Sequence, residues 1–441
     1  DLISSKAGSD DLAIFRNYTD DPKFFGTTFL DENENGVFDS TDIGLSFQNV
    51  ELTPDAFASW TGTEGKFSFA IRNGDWSAEC KPSEGWAFTN DSIINFTLSD
   101  SLSVFQHDFG LKAKDNFGRA EATMTSMATR CGFTVPFWIN YTNTGFQNSK
   151  GYIRLVTDTL TTLQITSPAP DSVSGNVLIW YFENLIPTGS NQIYLEFLMP
   201  GVDFIGTWIR MEGNIFLTDT ANSHIFTERF DFESEIRCSY DPNDKLTEPN
   251  IPDYDNFTLF NDTLIYTVRF QNTGNDTAIN VRIEDQLDAS LDLSTFRVIG
   301  ASHPYSVKMN HLGKVQFLFD DIYLPDSTVN EPKSHGFIKY QIQVKDSLDE
   351  RSKIGNVANI FFDFNPPIIT NTVINIMVSE IPFPLVIQEP TCHESTSGSI
   401  FVEPLFSGLN YEWAHGATGN FVTDLSVGEY FLVITDSLGN F

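Results

Sequence analysis

The stretch Leu264-Ile-Tyr-Thr-Val-Arg-Phe-Gln-Asn-Thr-Gly274 alternates apolar with polar residues and then stops at an Asn-Thr-Gly turn signal. An earlier segment, Phe137-Trp-Ile-Asn-Tyr-Thr-Asn-Thr-Gly145, has the same alternation and the same ending. Later segments of the two regions also match in order, since residues 177–187 resemble 315–325 and Ile193–Phe197 resembles Ile338–Val344. This repeated order predicts an internal duplication of a β-sandwich of about 120 residues, a size typical of immunoglobulin-like domains.

Strand-like alternation and turn signals extend along the whole chain, and helical periodicity is nearly absent. We therefore predict an all-β protein, built as a tandem array of β-sandwich (immunoglobulin-like) domains. Residues 1–22 are expected to be a linker or the tail of a preceding domain. A β-sandwich is predicted at 23–112, a second at 113–238, a third that is related to the second at 239–379, and a small β repeat module at 380–441.

Between the two related copies lies the junction Cys238-Ser-Tyr-Asp-Pro-Asn-Asp-Lys-Leu-Thr-Glu-Pro249. Its Asp, Asn and Pro residues are too dense for a helix or a central strand. Asp241, Asn243 and Asp244 are either turn formers or ligands of a second hard cation. Three oxygens without a full loop leave both interpretations open.

The 441 residues carry 59 acidic and 26 basic side chains, a formal net charge of -33. This balance argues against binding to nucleic acid and to anionic membrane surfaces. The excess of carboxylates is explained either by solubility in a salty exterior or, at some positions, by metal binding. With 40 Phe and 14% aromatic residues, each domain can bury a core.

The chain has no apolar run of membrane-spanning length, and residues 1–8 lack the basic and apolar regions of a signal peptide. A secreted protein is therefore expected here after processing or as a fragment.

Cys131 and Cys238 bracket the second sandwich, at its first strand and just after its last. Because these ends can lie side by side in a sandwich, we predict a disulfide in an oxidising exterior, the alternative being two separate buried thiols. Such a bridge would stabilise the fold by about 4–5 kcal/mol when treated as lost loop entropy. Cys80 has no evident partner.

Residues 31–42 have the spacing of a calcium loop. An EF-type loop takes oxygen ligands from positions 1, 3, 5, 7, 9 and 12 and a glycine at position 6 for the sharp turn. Counting from the first acid, the ligands are Asp31, Asn33, Asn35, the Val37 carbonyl, Asp39 and Asp42, with Gly36 at the turn. The alternative is an ordinary Asn-Gly hairpin turn. The full register favours calcium as the cofactor, and the short final acid predicts weak binding, about 10⁻⁴–10⁻³ M.

Residues 24–111 resemble the B-type β-sandwich modules of bacterial surface adhesins. The resemblance is carried by Gly26, the loop at 31–39, Gly44-Leu45 and the segment Thr63–Phe69 with its Gly65, Phe67 and Phe69. It implies a calcium-binding loop at 31–42.

Residues 113–379 resemble the paired sandwich domains of secreted Bacteroidota proteins, through Tyr-Asp-Pro-Asn-Asp-Lys at 240–245 and Phe-Gln-Asn-Thr-Gly at 270–274. Residues 391–440 resemble the short repeat of gliding-type surface adhesins. These resemblances imply export by the type IX secretion system and an extracellular location at the cell surface. Asp-Ser and Asp-Thr pairs before an apolar residue, as at 91–93 and 171–173, resemble O-glycan acceptors of the same proteins, although turn chemistry explains them equally well.

No catalytic pattern is present in the sequence: the seven histidines form no His-Glu-x-x-His, and there is no nucleophile elbow or phosphate-binding glycine loop. Carboxylate pairs assembled only in space stay open. We therefore expect no enzyme, but a structural or adhesive segment of a bacterial surface adhesin or appendage, a calcium-stabilised rod of β-domains. The alternative is a set of spacers or carbohydrate-binding modules of an exported hydrolase whose catalytic domain lies outside this chain. The expected partners are copies of itself, in homo-oligomers or fibres, or surface proteins and glycans, without membrane insertion.

Overall fold

The computed structural model describes residues 2–5, 12–15, 23–55, 57–62, 64–82, 85–114, 118–218, 224–238, 242–249, 256–310, 312–345, 348–380, 383, 385–390, 396–403 and 409–435. In these residues the backbone forms strands, turns and two short 3₁₀ turns, at Val202–Phe204 and Pro332–Ser334, and no α-helix. The predicted all-β class, a tandem array of β-sandwich domains, is confirmed. No helix in the described part of the chain is long and apolar enough to cross a membrane.

A short antiparallel pair, Leu2–Ser5 (β1) and Leu12–Phe15 (β2), lies at the amino-terminal end. We call residues 23–113 the first sandwich. Its strands are Lys23–Leu30 (β3), Ile43–Gly44 (β4), Asn49–Thr53 (β5), Phe57–Trp60 (β6), Lys66–Ala70 (β7), Gly74–Lys81 (β8), Trp86–Phe88 (β9), Ile93–Leu98 (β10), Val104–Gln106 (β11) and Phe109–Ala113 (β12).

The second sandwich covers residues 120–238 and the third sandwich residues 242–378. The strands of the second are Ala120–Ser126 (β13), Thr134–Asn143 (β14), Ser149–Val156 (β15), Thr162–Ser167 (β16), Ser172–Ser174 (β17), Val177–Leu185 (β18), Ser190–Leu198 (β19), Trp208–Thr218 (β20) and His224–Glu235 (β21). The strands of the third are Lys245–Glu248 (β22), Phe257–Leu259 (β23), Leu264–Gln271 (β24), Val281–Gln286 (β25), Leu291–Ala301 (β26), Ser306–Asn310 (β27), Lys314–Phe319 (β28), His335–Val344 (β29), Lys353–Asn356 (β30), Ala358–Phe362 (β31), Ile368–Ile369 (β32) and Val373–Val378 (β33).

The carboxy-terminal module, residues 385–435, has a small core of its own. Its strands are Leu385–Gln388 (β34), Gly398–Val402 (β35), Asn410–Trp413 (β36), Phe421–Leu425 (β37) and Leu432–Thr435 (β38). Val402, Tyr411 and Trp413 pack at its centre with Val422 and Leu425.

Alternation in the sequence decides which face of a strand is buried. Phe67, Phe69 and Ile71 point into the first sandwich, as their spacing predicts, while the alternate residues Lys66, Ser68 and Ala70 stay exposed. Phe24 lies on the neighbouring strand of the same sheet, with its ring centre 5.2 Å from that of Phe67, and its ring centre is 4.7 Å from that of Phe96 in the facing sheet. Aromatic packing of this kind holds the two sheets of the first sandwich together.

The second and third sandwiches have the same strand order. One sheet runs β13-β14-β19-β16 in the second and β22-β24-β29-β26 in the third. The facing sheet runs β17-β18-β15-β20-β21 in the second and β27-β28-β25-β31-β32 in the third. These orders correspond one to one, as the repeated sequence pattern predicts. The third sandwich adds a small sheet, β23-β33-β30, that has no counterpart among the described strands of the second.

The repeated Asn-Thr-Gly turn has the same hydrogen bonds in both copies. The Nδ2 of Asn143 donates to the carbonyls of Gln147 and Leu185 at 2.8 and 2.7 Å. The Nδ2 of Asn272 donates to the carbonyls of Asp276 and Leu324 at 2.8 and 3.0 Å. Each Oδ1 accepts the N–H of the glycine two residues later. The buried asparagine therefore fixes where this turn joins the facing sheet.

Replacing either asparagine with alanine leaves two inward carbonyls without their donor. We expect Asn143→Ala and Asn272→Ala each to lower the free energy of unfolding by about 2–3 kcal/mol, measured by urea denaturation with tryptophan fluorescence. The control is Asn365→Ala, at an exposed position, with a change below about 0.5 kcal/mol. If only one of the two substitutions lowered the free energy of unfolding, the equivalence of the two turns would be contradicted.

Candidate functional site

Asp31 organises the start of the predicted calcium loop. Its side chain is buried, and its two carboxylate oxygens accept the backbone N–H groups of Asn35 at 3.1 Å and Gly36 at 2.7 Å. Burial works to raise the pKa of Asp31, but the nearby Thr89 side chain and the hydrogen bonds from these N–H groups outweigh it and hold the pKa below its usual value. Asp31 is therefore a fixed anion beneath the loop.

The other two acids close the loop. Asp42 accepts the N–H groups of Glu32 at 3.1 Å and Asp39 at 2.8 Å. Asp39 accepts hydrogen bonds from the backbone and hydroxyl of Thr41 and from the carboxamides of Asn33 and Asn35, which together lower its pKa to about 2. Its carboxylate therefore stays ionised over the whole physiological pH range.

The loop has the donor chemistry of a calcium site but is closed by its own hydrogen bonds. The Nδ2 atoms of Asn33 and Asn35 each lie 3.0 Å from an oxygen of Asp39, and the Val37 side chain is exposed. Among the described residues, no three His, Cys, Asp or Glu side chains lie close enough together to hold a metal ion. Carboxylate, carboxamide and carbonyl oxygens are the ligands that calcium prefers. The residue types thus fit calcium, which would take the place of the two carboxamide donors.

The residues of the junction have other partners. Asp244 forms a two-pronged ion pair with Arg269, whose Nε lies 2.7 Å from its Oδ1. The Oδ1 of Asn243 accepts the N–H of Gln271 at 3.1 Å. Asp241 lies outside the described residues. Asn243 and Asp244 thus hold the junction against β24, which is a structural role.

Lys245, the last residue of the Asp-Pro-Asn-Asp-Lys segment, is the functional candidate that the sequence reasoning missed. Its side chain is completely buried, whereas the neighbouring Leu246 is 38% exposed. Apolar patterning assigns the inward position to Leu246 and the outward one to Lys245, so the strand register is the reverse of that expectation. Lys245 and Thr247 lie two residues apart and therefore share the buried face of the strand. This alternation is the signal that could have revealed the burial of Lys245.

Cys131 and Cys238 are joined by a disulfide, with their Cα atoms 5.1 Å apart. The N–H of Cys131 also donates to the carbonyl of Arg237 at 2.9 Å. The two ends of the second sandwich are therefore tied by covalent and backbone bonds together. Cys80 is a buried free thiol, and burial raises its pKa to about 12, so it is unreactive at neutral pH.

The first and third sandwiches share one continuous sheet. Strand β6 pairs antiparallel with β27, with Trp60 opposite Val307 and Phe57 opposite Asn310. The result is a nine-stranded sheet in the order β10-β8-β5-β6-β27-β28-β25-β31-β32. We call the β6–β27 pairing the interdomain seam. The indole of Trp60 packs across it against the ring of Phe296, with 5.4 Å between the ring centres.

The second sandwich contacts both of the others. Ser46 of the first sandwich donates through its hydroxyl to the carbonyl of Thr188 at 2.7 Å. The ring centres of Trp138 and Phe337 lie 5.1 Å apart, which places a side chain of the third sandwich in the core of the second. The domains are in tandem along the sequence, but in space each of the three sandwiches touches the other two.

A cleft of about 770 Å³ opens where the three sandwiches meet. Trp86, Glu121, Asn140, Arg297 and His303 contribute to its walls. Glu121 is paired with Arg297, and burial lowers the pKa of His303 to about 4, so this imidazole is neutral at physiological pH. The adjacent Ser302 hydroxyl is 2.8 Å from His303 Nδ1 but accepts the Phe337 N–H at 2.8 Å. The cleft can accept a polar ligand, and this serine is bonded to β29 of its own sandwich.

The third sandwich matches a known domain family. Residues 241–376 match the sequence profile described as "Domain of unknown function (DUF7619)". The match covers less than half of the chain, and no curated protein matches the chain in sequence.

Solved structures with similar elements include bacterial pilins and an adhesin. BcpA, the major pilin subunit of Bacillus cereus, is 6% identical with a TM-score of 0.24, and the match covers 95% of this chain and 96% of that one. The full-length major pilin SpaD of Corynebacterium diphtheriae is 9% identical with a TM-score of 0.20, covering 73% and 87%. The collagen adhesin (CNA) of S. aureus is 11% identical with a TM-score of 0.20, covering 58% and 91%. Scores this low support no functional conclusion.

A double-mutant cycle tests the interdomain seam in solution. We expect Trp60→Ala and Phe296→Ala to be coupled by about 0.5–1.5 kcal/mol in the free energy of unfolding, because each removes the same aromatic contact. Urea denaturation of the single and double variants measures this coupling. Trp60→Ala with Phe197→Ala, a core residue of the second sandwich, is the control and should be additive within about 0.5 kcal/mol. If the effects of Trp60→Ala and Phe296→Ala on the free energy of unfolding were additive, the aromatic contact across the interdomain seam would be contradicted.

Proposed function

We propose that this chain is a non-catalytic structural and adhesive segment of a bacterial surface protein, stabilised by calcium. The observation that carries the proposal is the interdomain seam, because a sheet that continues from one sandwich into another resists bending between them. Independent domains on a flexible tether would need no such pairing. Stiffness of this kind suits a protein that projects from a cell and is pulled.

Three properties of the chain support an extracellular location. The disulfide between Cys131 and Cys238 is typical of oxidising compartments. The net charge of -33 keeps the protein soluble and away from nucleic acid and anionic lipid. The resemblance to secreted Bacteroidota proteins supports export by the type IX system. Glycans on exposed Asp-Ser segments, such as the one at Asp171 and Ser172, belong to the same proposal.

Calcium is assigned to the loop at 31–42, with Asp31, Asn33, Asn35, the Val37 carbonyl, Asp39 and Asp42 as ligands. The loop follows β3, the strand that pairs with β4, β7, β11 and β12. Asn90 also donates from Nδ2 to the Gly36 carbonyl at 3.0 Å and to the Asp108 carbonyl at 2.9 Å. An ion in the loop would therefore fix the end of the central strand and a neighbouring turn together.

The second candidate function is a spacer or carbohydrate-binding unit of an exported hydrolase. The cleft between the three sandwiches favours it, because its walls combine the Trp86 indole with the polar Asn140 and Arg297 side chains. Glycan-array binding by the purified chain separates the candidates. Specific glycan binding that is lost in Asn140→Ala supports the carbohydrate-binding unit, and the complete reading frame supports it further if it encodes a hydrolase domain.

Self-association is the partner expected of an adhesive segment, because weak sites gain strength through multivalency. We expect the full-length protein to form homo-oligomers or fibres in light scattering and electron microscopy. A monodisperse monomer at every concentration tested would contradict this part of the proposal.

Calcium should raise the melting temperature of the chain, because three carboxylates and two carboxamides of one loop bind it only in the folded state. We expect a chelator to lower the first melting transition and titration calorimetry to give a Kd of about 10⁻⁴–10⁻³ M. Asp31→Ala and Asp39→Ala should each abolish the calcium-dependent shift. Asp292→Ala removes a half-buried acid that also accepts a backbone N–H and is the matched control, which should keep the full shift. An unchanged melting temperature on chelation of the unaltered protein would refute the calcium assignment.

A further inference from the structure

A fully buried cluster of polar side chains lies inside the third sandwich. The Lys245 side chain has no exposed surface, and its Nζ contacts the Oδ2 of Asp285 and lies 3.0 Å from the hydroxyl of Tyr340. The aromatic ring of Tyr266 closes the other side, with its centre 4.9 Å from Nζ. The amine thus sits among aromatic rings with one carboxyl group and one hydroxyl.

Asn356 brings a carboxamide to the same hydroxyl. Its side chain is 1% exposed, and its Nδ2 donates to the Tyr340 oxygen at 3.1 Å. That hydroxyl in turn donates to Asp285 Oδ2 at 2.5 Å. One tyrosine oxygen therefore gathers an amine, a carboxyl group and a carboxamide, which come from three different strands, β22, β25 and β30.

A simple ion pair accounts poorly for this cluster. Taking an ammonium and a carboxylate out of water is costly unless the remaining polar atoms are also satisfied. Among the described residues, Asp285 Oδ1 and Asn356 Oδ1 are both buried without a hydrogen-bond partner. Burial also lowers the pKa of Lys245, although the nearby Asp285 opposes that shift. A desolvated lysine of this kind is a nucleophile when neutral.

We propose that Lys245 and Asn356 become joined by an amide bond between Nζ and Cγ, with Asp285 as the proton carrier. The ammonium first gives a proton to the Asp285 carboxylate, which leaves a neutral amine. The amine attacks Cγ of Asn356 while the Asp285 carboxyl hydrogen-bonds to Oδ1 and stabilises the charge that develops there. A proton of the attacking nitrogen passes to Nδ2, the bond from Cγ to Nδ2 breaks, and ammonia leaves.

The reaction needs no outside reagent, because the lysine proton, the acid and the leaving group are all in the cluster. Asp285 keeps the proton that it took from the ammonium and ends as a neutral carboxyl group beside the new amide. The product removes a buried charge pair and replaces it with a neutral link. Before the bond forms, the amine and the carboxamide both hydrogen-bond to the Tyr340 hydroxyl oxygen. This shared partner supplies the proximity that such a step requires.

The cross-link would join two sheets of the third sandwich. β22 belongs to the sheet with β24, β29 and β26, whereas β30 belongs to the small sheet with β33 and β23. The bond would also connect the first strand of this sandwich with a strand near its end. A force applied along the chain would then bypass the core that lies between residues 245 and 356.

Intact-mass spectrometry of the purified full chain, after disulfide reduction and alkylation, tests the proposal directly. We expect the mass to fall short by one ammonia of the mass calculated for the sequence with its cysteines alkylated, which is called the sequence mass below. Proteolysis followed by tandem mass spectrometry should then yield a branched peptide that contains both Lys245 and Asn356. A mass equal to that of the sequence overturns the proposal. A deficit of one water, with a branched peptide containing Lys245 and Asp285, overturns the assignment of Asn356.

Variants assign the role of each group. Lys245→Met should restore the full sequence mass, and Asn356→Asp should show a deficit of one water instead of one ammonia. Asp285→Asn should leave the two residues unjoined; a persisting ammonia deficit in this variant would remove Asp285 from the mechanism. Lys339→Met and Asn375→Ser replace a nearby lysine and another buried asparagine and should keep the ammonia deficit. Because the decisive mass is that of the unaltered chain, a variant that fails to fold does not remove the test.

Discussion

The pairing of β6 with β27 is the interaction on which the arrangement of the first three domains depends. It turns two edge strands, which would otherwise expose unpaired N–H and C=O groups, into interior strands of one sheet. Phe47 and Trp60 of the first sandwich then pack against the core of the third. The second sandwich closes the group through Phe337, which enters its core. Backbone hydrogen bonds set the register between β6 and β27, and aromatic side chains pack around this pairing.

Polar residues fix positions inside the third sandwich that apolar packing leaves undetermined. Asp244 and Arg269 hold the junction, while Lys245 reaches Asp285 and Tyr340 in the interior. Thr247 on the same strand is also fixed in position, because its hydroxyl donates a hydrogen bond to Asn375 Oδ1 at 2.9 Å. An apolar strand could slide by two residues at little cost, but a buried lysine has only one position with a carboxylate partner. The junction therefore sets the register of β22.

The sequence predicts much of the fold but little of how the domains meet. Alternation identifies strands such as β7 and β24, and the repeated Asn-Thr-Gly turn identifies the two related sandwiches, because both signals are local. The seam between Phe57–Trp60 and Ser306–Asn310 is invisible in the sequence, since backbone groups of any residue type can pair across it. For the candidate sites, the spacing of Asp31 to Asp42 can be recognised in the sequence because all the proposed ligands lie within one short loop. Lys245, Asp285 and Asn356 are far apart in sequence, and only folding brings them together.

The loop proposed to bind calcium and the interdomain seam lie on opposite sheets of the first sandwich, so any influence of one on the other must pass through its core. The loop follows β3, whose Phe24 packs against Val50 and Leu52 of β5 in the same cluster. Strand β5 pairs with β6, and β6 forms the seam. Losing calcium would loosen the end of β3 first, and the aromatic core would have to yield before β6 could leave β27. The ion would therefore stabilise the contact between domains indirectly, by stiffening the sandwich that supplies the pairing strand.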